Sequence, residues 1–407
     1  MQYIKRDIES TILDVSKYYA ALILTGPRQV GKTTTLRRLA ESSRAEISLD
    51  DAEARQMAKA DPELFLSVNK PPLLIDEVQY APELFSRIKI EIDKGAAPGS
   101  YWLTGSQPFG LMSLAQESLA GRAAVLQMAS LSQHETHGGD VIAPFSIELE
   151  ALLERSKGRS KIDTAQQYER IWKGSLPGHI SGEFPQREIF YSSYLQTYIQ
   201  RDIRDMYAGV DYLQFADFIR AAACRTGQTL NVHDIAQDVA VSDDTARHWL
   251  GLLERSYVIF YLRPYSNNLL KRTVKTPKLF FFDTGLVAYL TKYSSPDILM
   301  NGAINGAILE NYAVSEIMKS FLNVGSEAIM HYYRDRDGKE IDLVIEGDGE
   351  LHPIEIKKTA SPPAQLSGAF KALDKAALRR GMGAIVCTKQ ELSAIDRDTL
   401  IIPTWLL

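Results

Sequence analysis

This sequence predicts an α/β protein of three modules, and three observations carry the prediction. Residues 1–140 alternate short apolar runs with stretches of helical spacing, the signature of a parallel sheet wrapped by helices. Residues 211–290 read as three short helices followed by two strands. Residues 291–407 open on a helix and continue in short strands. A helical connecting region, 141–210, joins the first module to the second.

The 407-residue length suits such a division, at roughly 100–200 residues per domain. Lys and Arg number 46 against 51 Asp and Glu, a net charge of −5. That balance excludes a uniformly basic nucleic-acid coat, so any DNA contact would need a local patch. Two cysteines, Cys224 and Cys387, are too few for a disulfide framework or a cysteine-based zinc site. Cys224 lies on an apolar helical face and is expected in the core. The histidines lack metal spacing, and most are expected in solvent. No apolar run approaches the ~18–20 residues of a membrane span. Met1-Gln-Tyr-Ile-Lys lacks the apolar stretch of a secretory signal. A cytoplasmic protein with no membrane partner is expected.

In the first module, strands are expected at Ala20–Thr25, Ala45–Leu49, Leu73–Asp76, Tyr101–Thr104 and Ala123–Met128. In the connecting region, Gln186–Tyr207 reads as one long helix. The second module is expected to hold helices Leu213–Cys224, Val232–Val239 and Asp243–Arg255, then strands Tyr257–Leu262 and Lys278–Phe282.

The chemistry begins after the first strand. Gly26-Pro27-Arg28-Gln29-Val30-Gly31-Lys32-Thr33, with Thr34 following, fits G-x-x-x-x-G-K-[ST] between a strand and a helix. Glycines let the backbone curl so that successive N–H groups face phosphate oxygens, and the helix N-terminus adds partial positive charge. Lys32 would reach the β- and γ-phosphates, and the Thr33 hydroxyl would hold Mg²⁺. Two strands later, Leu73-Leu-Ile-Asp76-Glu77 is an apolar strand ending in two carboxylates. Asp76 would serve the Mg²⁺ shell, and Glu77 would orient or deprotonate the attacking water. ATP and Mg²⁺ are therefore the expected ligands, with Lys32 and Glu77 catalytic.

The fourth strand leads into Gly105-Ser106-Gln107, which resembles the place where P-loop ATPases of the AAA+ kind put a polar sensor. Thr104 and Ser106 both fit, and spacing does not choose; Ser106 is the third expected catalytic residue. Arg122, just ahead of the fifth strand, could reach a phosphate in cis or across a subunit boundary of a homo-oligomer, or form a surface ion pair.

Val232–Val239, the Ala240-Val241 turn and Asp243–Arg255 have helix-turn-helix spacing. The winged helix they imply carries Arg263, Lys271, Arg272, Lys275 and Lys278, with no acid between Arg263 and Lys278. Those side chains could track DNA phosphates, but Asp243 and Asp244 at the start of the last helix would repel them. DNA binding and a purely structural role stay open. In the third module, the Asp348-Gly349 turn is a hairpin signal that sets Asp342 opposite Glu355 and Glu340 opposite Lys357. Ile341 and Leu343 should then share the other, apolar face. Opposed carboxylates require a proton or a cation between them.

These residues resemble the bacterial and archaeal AAA-like ATPases whose C-terminal part is a domain of unknown function related to the PD-(D/E)xK nucleases. The resemblance runs through Gly26–Thr34, Leu74–Gln79, Leu103–Gln107, Ser118–Arg122, Tyr194–Ile203, Lys278–Leu290 and Glu340–Lys358. It implies a P-loop NTPase sheet of AAA+ type, then a winged helix, then a restriction-endonuclease-like α/β domain. It also implies a second metal site at Asp342 and Glu355, with Glu310 as accessory acid and Lys357 beside them. The leading expectation is a Mg²⁺-dependent ATPase whose nucleotide state repositions the distal modules, with DNA left open as the platform. A nucleotide-gated protein-binding switch and an ATP-regulated nuclease are the alternatives.

Overall fold

A computed structural model of the chain describes residues 3–105, 118–138, 143–199, 211–267, 272, 276–335 and 337–407. Strands β1 (Ala21–Thr25), β2 (Ala45–Ser48), β3 (Leu73–Asp76), β4 (Tyr101–Thr104) and β5 (Ala123–Gln127) form one sheet in the order β2-β3-β4-β1-β5. Every pairing in it is parallel. Interior strand β1 is covered on both faces, which is why it reads as an unbroken apolar run. Alternation sorts its side chains: Leu22 and Leu24 pack with Ile8, Ile12 and Leu36, while Ile23 packs with Leu84, Phe85 and Ile88 of helix Glu83–Asp93.

The expected Gln186–Tyr207 helix is α-helical over Arg187–Ser193 and widens to a π-turn over Tyr194–Ile199; residues 200–207 lie outside the described residues. The region is tied down by Asp283. Its carboxylate accepts from Ser175 N at 2.6 Å, Ser175 Oγ at 2.9 Å, Tyr191 Oη at 2.8 Å and Leu286 N at 2.7 Å. The last of these caps helix Thr284–Leu290. Gly174 and Gly285 are glycines because an added Cβ on either would run into the Tyr191 hydroxyl. This gives Lys278–Leu290 a structural role at its Asp283-Thr-Gly285 core. Arg201–Ile203 of the other matched stretch lies outside the described residues.

Helices Tyr212–Ala223, Val232–Asp238 and Asp243–Arg255 lie close to their expected spans. Cys224, however, is exposed: it keeps helical φ/ψ and bonds to Arg220 O, but its position falls off the buried stripe of Phe215, Phe218, Ile219, Ala222 and Ala223. His134 and His331 are buried rather than solvated.

A second sheet follows, built from β6 (Ile259–Pro264), β7 (Lys278–Phe281), β8 (Met330–Arg334), β9 (Glu340–Gly347), β10 (Glu350–Lys357), β11 (Arg379–Arg380), β12 (Gly383–Cys387), β13 (Ser393–Asp396) and β14 (Thr399–Pro403). Its main path runs β13-β14-β12-β10-β9-β8-β6-β7, with β11 on β10. The two strands expected as a separate wing thus continue the sheet of the hairpin, through parallel pairing of Arg263 with His331 and Pro264 with Tyr332. An unpaired strand edge needs a partner, and β8 meets the outer edge of β6.

The hairpin has the expected register, with Leu351 opposite Glu346 and Ile354 opposite Leu343. Asp348 (φ 51°) and Gly349 (φ 76°) both take the left-handed conformation such a turn demands. One expectation fails. The β8–β9 ladder shifts between His331 and Tyr333, placing an extra residue in β9. Beyond that bulge Ile341 packs with Val344, Leu351 and Phe370, on the face opposite Leu343.

Candidate active site

The phosphate loop, Asp76-Glu77 and Thr104 follow or end β1, β3 and β4, so they gather at the carboxyl edge of one parallel sheet. That edge is where open α/β sheets bind ligands. Gly26 (φ 143°) has no room for a side chain, because a Cβ would run into the Met128 carbonyl oxygen. Gly31 (φ 93°) has open space and serves only the backbone turn into helix Lys32–Leu39. Lys32 folds back over the loop, donating to the carbonyls of Gly26 at 2.9 Å and Pro27 at 2.8 Å. Thr33 Oγ1 donates to Asp76 Oδ1 at 3.0 Å, so the two expected Mg²⁺ residues stand side by side. Burial pushes the Asp76 carboxyl above its ordinary range, while the Thr33 hydroxyl opposes the shift.

Glu77 sits in the left-handed region at φ 53°, an uncommon conformation for a residue with a side chain. Gln79 donates to its carboxylate, and Arg28 Nη1 lies 3.9 Å from Glu77 Oε1. Thr104 is buried, and its hydroxyl has no hydrogen-bond partner among the described residues. Ser106 lies outside the described residues. Arg122 is bound at the surface by Asp93, with Nε 2.6 Å from Oδ1, which is the ion-pair alternative of the sequence reading.

Beside the loop, a cavity of about 190 Å³ is lined by Tyr3, Ile4, Val30, Thr34, Pro177 and Phe184, among others. Its floor is wired to the rest of the chain by a residue the sequence reading missed. Arg6, buried, donates to Val30 O at 2.7 Å, Ala129 O at 2.8 Å and Glu135 Oε1 at 2.8 Å. Glu135 closes a capping box on Ser132, a signal readable as Ser132-Gln-His-Glu135. The same turn then reaches helix Asn305–Leu322. Gln133 N donates to Glu316 Oε2 at 2.6 Å, Tyr312 Oη donates to Gln133 Oε1 at 2.7 Å, and Lys319 Nζ lies 2.7 Å from Glu316 Oε1. Nothing local in the sequence announces Arg6 or Glu316 as partners of that turn.

The C-terminal candidates also converge. Lys357 Nζ lies 2.7 Å from Asp342 Oδ2 and 2.8 Å from Glu355 Oε2, so it bridges the opposed carboxylates instead of facing Glu340 alone. At the bulge, Asp342 Oδ2 also accepts from Ile356 N at 2.8 Å. Burial and the Asp342 charge raise the Glu310 and Glu355 carboxyls. Among the described residues, no group of three or more His, Cys, Asp or Glu is disposed to hold a metal ion.

The basic wing is mostly turned inward where it can be followed. Lys278 is 3% exposed and pairs with Glu310 at 2.8 Å and Glu340 at 2.6 Å, so it cannot meet a phosphate backbone. Arg272 pairs with Glu346 at 2.9 Å and stacks on Tyr265. Arg263 is exposed, while Lys271 and Lys275 lie outside the described residues. Asp243 and Asp244 are both paired with Arg247. Among the described residues, no helix is long and apolar enough to cross a membrane.

Residues 18–137 match a family model described as an AAA domain. Residues 164–297 and 305–407 match two models described as domains of unknown function, DUF8612 and DUF4143. The uncharacterized proteins Rv2008c of Mycobacterium tuberculosis and Mb2031c of Mycobacterium bovis are each 27% identical over 361 residues, which span 88% of this chain and 75% of theirs. Among solved structures, a Walker-type ATPase of Pyrococcus abyssi is 15% identical, with a TM-score of 0.43 over 71% of this chain and 96% of that one. The AAA match contains the whole phosphate loop, Asp76 and Glu77, so the N-terminal part of this chain is similar to an AAA domain.

Proposed function

We propose that this chain binds ATP with Mg²⁺ at the loop 26–34 and hydrolyses it, and that the nucleotide state is passed to the C-terminal half. The observation that carries the reading is the gathering of Lys32, Thr33, Asp76, Glu77 and Thr104 at one sheet edge. The donor set suits the ligand. Lys32 holds loop carbonyls through bonds that phosphate oxygens would replace, and the buried Thr104 hydroxyl has a bond left to make.

In this reading the loop amides and Lys32 bind the β- and γ-phosphates, and Thr33 and Asp76 hold the ion. Mg²⁺ supplies neutralisation of the charge that develops on the phosphates. Glu77 orients the attacking water and takes its proton, after its carboxylate leaves Gln79. Thr104 donates to a phosphate oxygen, with Ser106 the alternative in that position. The cavity bounded by Tyr3, Ile4, Val30 and Phe184 receives the base.

Glu77 favours hydrolysis over a passive switch, since holding ATP needs no second carboxylate. The contacts from Val30 through Arg6, Glu135 and the Ser132–Gln133 turn to Glu316 offer a route by which loop occupancy bears on helix Asn305–Leu322. The test is nucleotide binding by Lys32→Ala. Losing the charge-assisted bonds to phosphate should weaken ATP binding by about 10²-fold or more. Wild-type affinity in Lys32→Ala would place the nucleotide elsewhere.

A further inference from the structure

The hairpin resembles a metal-dependent nuclease site, yet its donor set is already spoken for. Such a site would ask Glu310, Asp342 and Glu355 to converge on a divalent ion, and among the described residues no such group of three is formed. Lys278, at the start of β7, reaches from another part of the chain to Glu310 and to Glu340 of the hairpin. Its ammonium lies 2.8 Å from Glu310 Oε1 and 2.6 Å from Glu340 Oε1, with the Tyr332 ring centre 5.6 Å away. Lys357 holds Asp342 and Glu355 in the same way, and Arg334 Nε stands 3.9 Å from Glu340 Oε2.

An ammonium buried this deeply is strongly destabilising unless carboxylates surround it, and buried carboxylates are equally so without a cation. Each therefore requires the other. We propose that Lys278 supplies the cation of this cluster in place of a divalent metal, making it a closed ionic joint between β7, helix Asn305–Leu322 and the hairpin. A side chain cannot exchange with solvent as an ion does, so the joint is permanent. It fastens the strand pair of residues 259–281 to the C-terminal domain, across the same seam that β6 and β8 close by backbone pairing.

The experiment is thermal unfolding of the full chain with and without Mn²⁺, in the absence of nucleotide and in an Asp76→Asn background that silences the phosphate-loop site. With Lys278 present, Mn²⁺ should leave the melting temperature unchanged. Lys278→Met, which keeps the length of the side chain and removes its charge, should melt lower and be raised again by Mn²⁺. Adding Glu310→Gln should remove that rescue. Lys278→Gln is the second variant should Lys278→Met fail to fold. Titration calorimetry of Mn²⁺ into the Lys278 chain gives a readout that needs neither variant. Mn²⁺ stabilisation with Lys278 in place, abolished by Asp342→Asn, would overturn the proposal. So would a folded Lys278→Met that shows no response to Mn²⁺.

Discussion

Gly26 and Gly31 sit at the two ends of the phosphate loop for different reasons, and the difference can be measured. Both have positive φ, a conformation that costs an L-residue about 1–3 kcal/mol. Gly31→Ala meets nothing within contact distance, so it should cost that strain alone. Gly26→Ala also drives a methyl group into the Met128 carbonyl oxygen, and backbone must move to relieve it. Thermal unfolding should therefore rank Gly26→Ala well below Gly31→Ala, with nucleotide binding lost in the former. Equal melting temperatures would mean that β5 does not press on the loop as described. The spacing of these residues was legible because the motif is local: eight consecutive positions carry the whole geometry. Lys278 was not legible for the opposite reason. In sequence it belongs to a basic run, and only the non-local packing of Glu310 and Glu340 around it turns it inward.

Among elements, the short helix Gln133–His137 joins the two halves of the molecule. It receives Arg6 through Glu135 on one side and Glu316 through the Gln133 amide on the other. Glu316→Ala takes the partner from that amide and the carboxylate from the buried Lys319 ammonium, which keeps only Leu131 O and Ser175 Oγ, a loss of about 3–5 kcal/mol. If the contacts also couple the halves, the same change should alter ATP affinity by about fivefold or more, although Glu316 does not line the cavity beside the loop. Reduced stability with unchanged ATP affinity would leave the joint a structural one. The turn arithmetic of the hairpin predicts its register correctly because one two-residue turn determines it. The bulge at β9 and the β6–β8 pairing escape prediction because each depends on a strand far away in sequence.

At the scale of the whole molecule, the chain comprises an N-terminal part similar to an AAA domain, packed onto a larger C-terminal assembly, in which a helical bundle and a nine-stranded sheet are continuous. The five strands of the first sheet lie within a residue or so of their expected bounds. In the second sheet, the strands Ile259–Pro264 and Lys278–Phe281 share one sheet with the hairpin. Hydrolysis at the loop is the central claim for this molecule. Phosphate release from Mg·ATP by the wild type and by Glu77→Gln, with ATP binding measured on the same samples, tests it most directly. We expect Glu77→Gln to bind ATP as the wild type does and to release phosphate about 10²-fold more slowly or worse, the usual contribution of a positioned general base. Equal rates in the two proteins, or no turnover by a wild type that binds ATP, would contradict it.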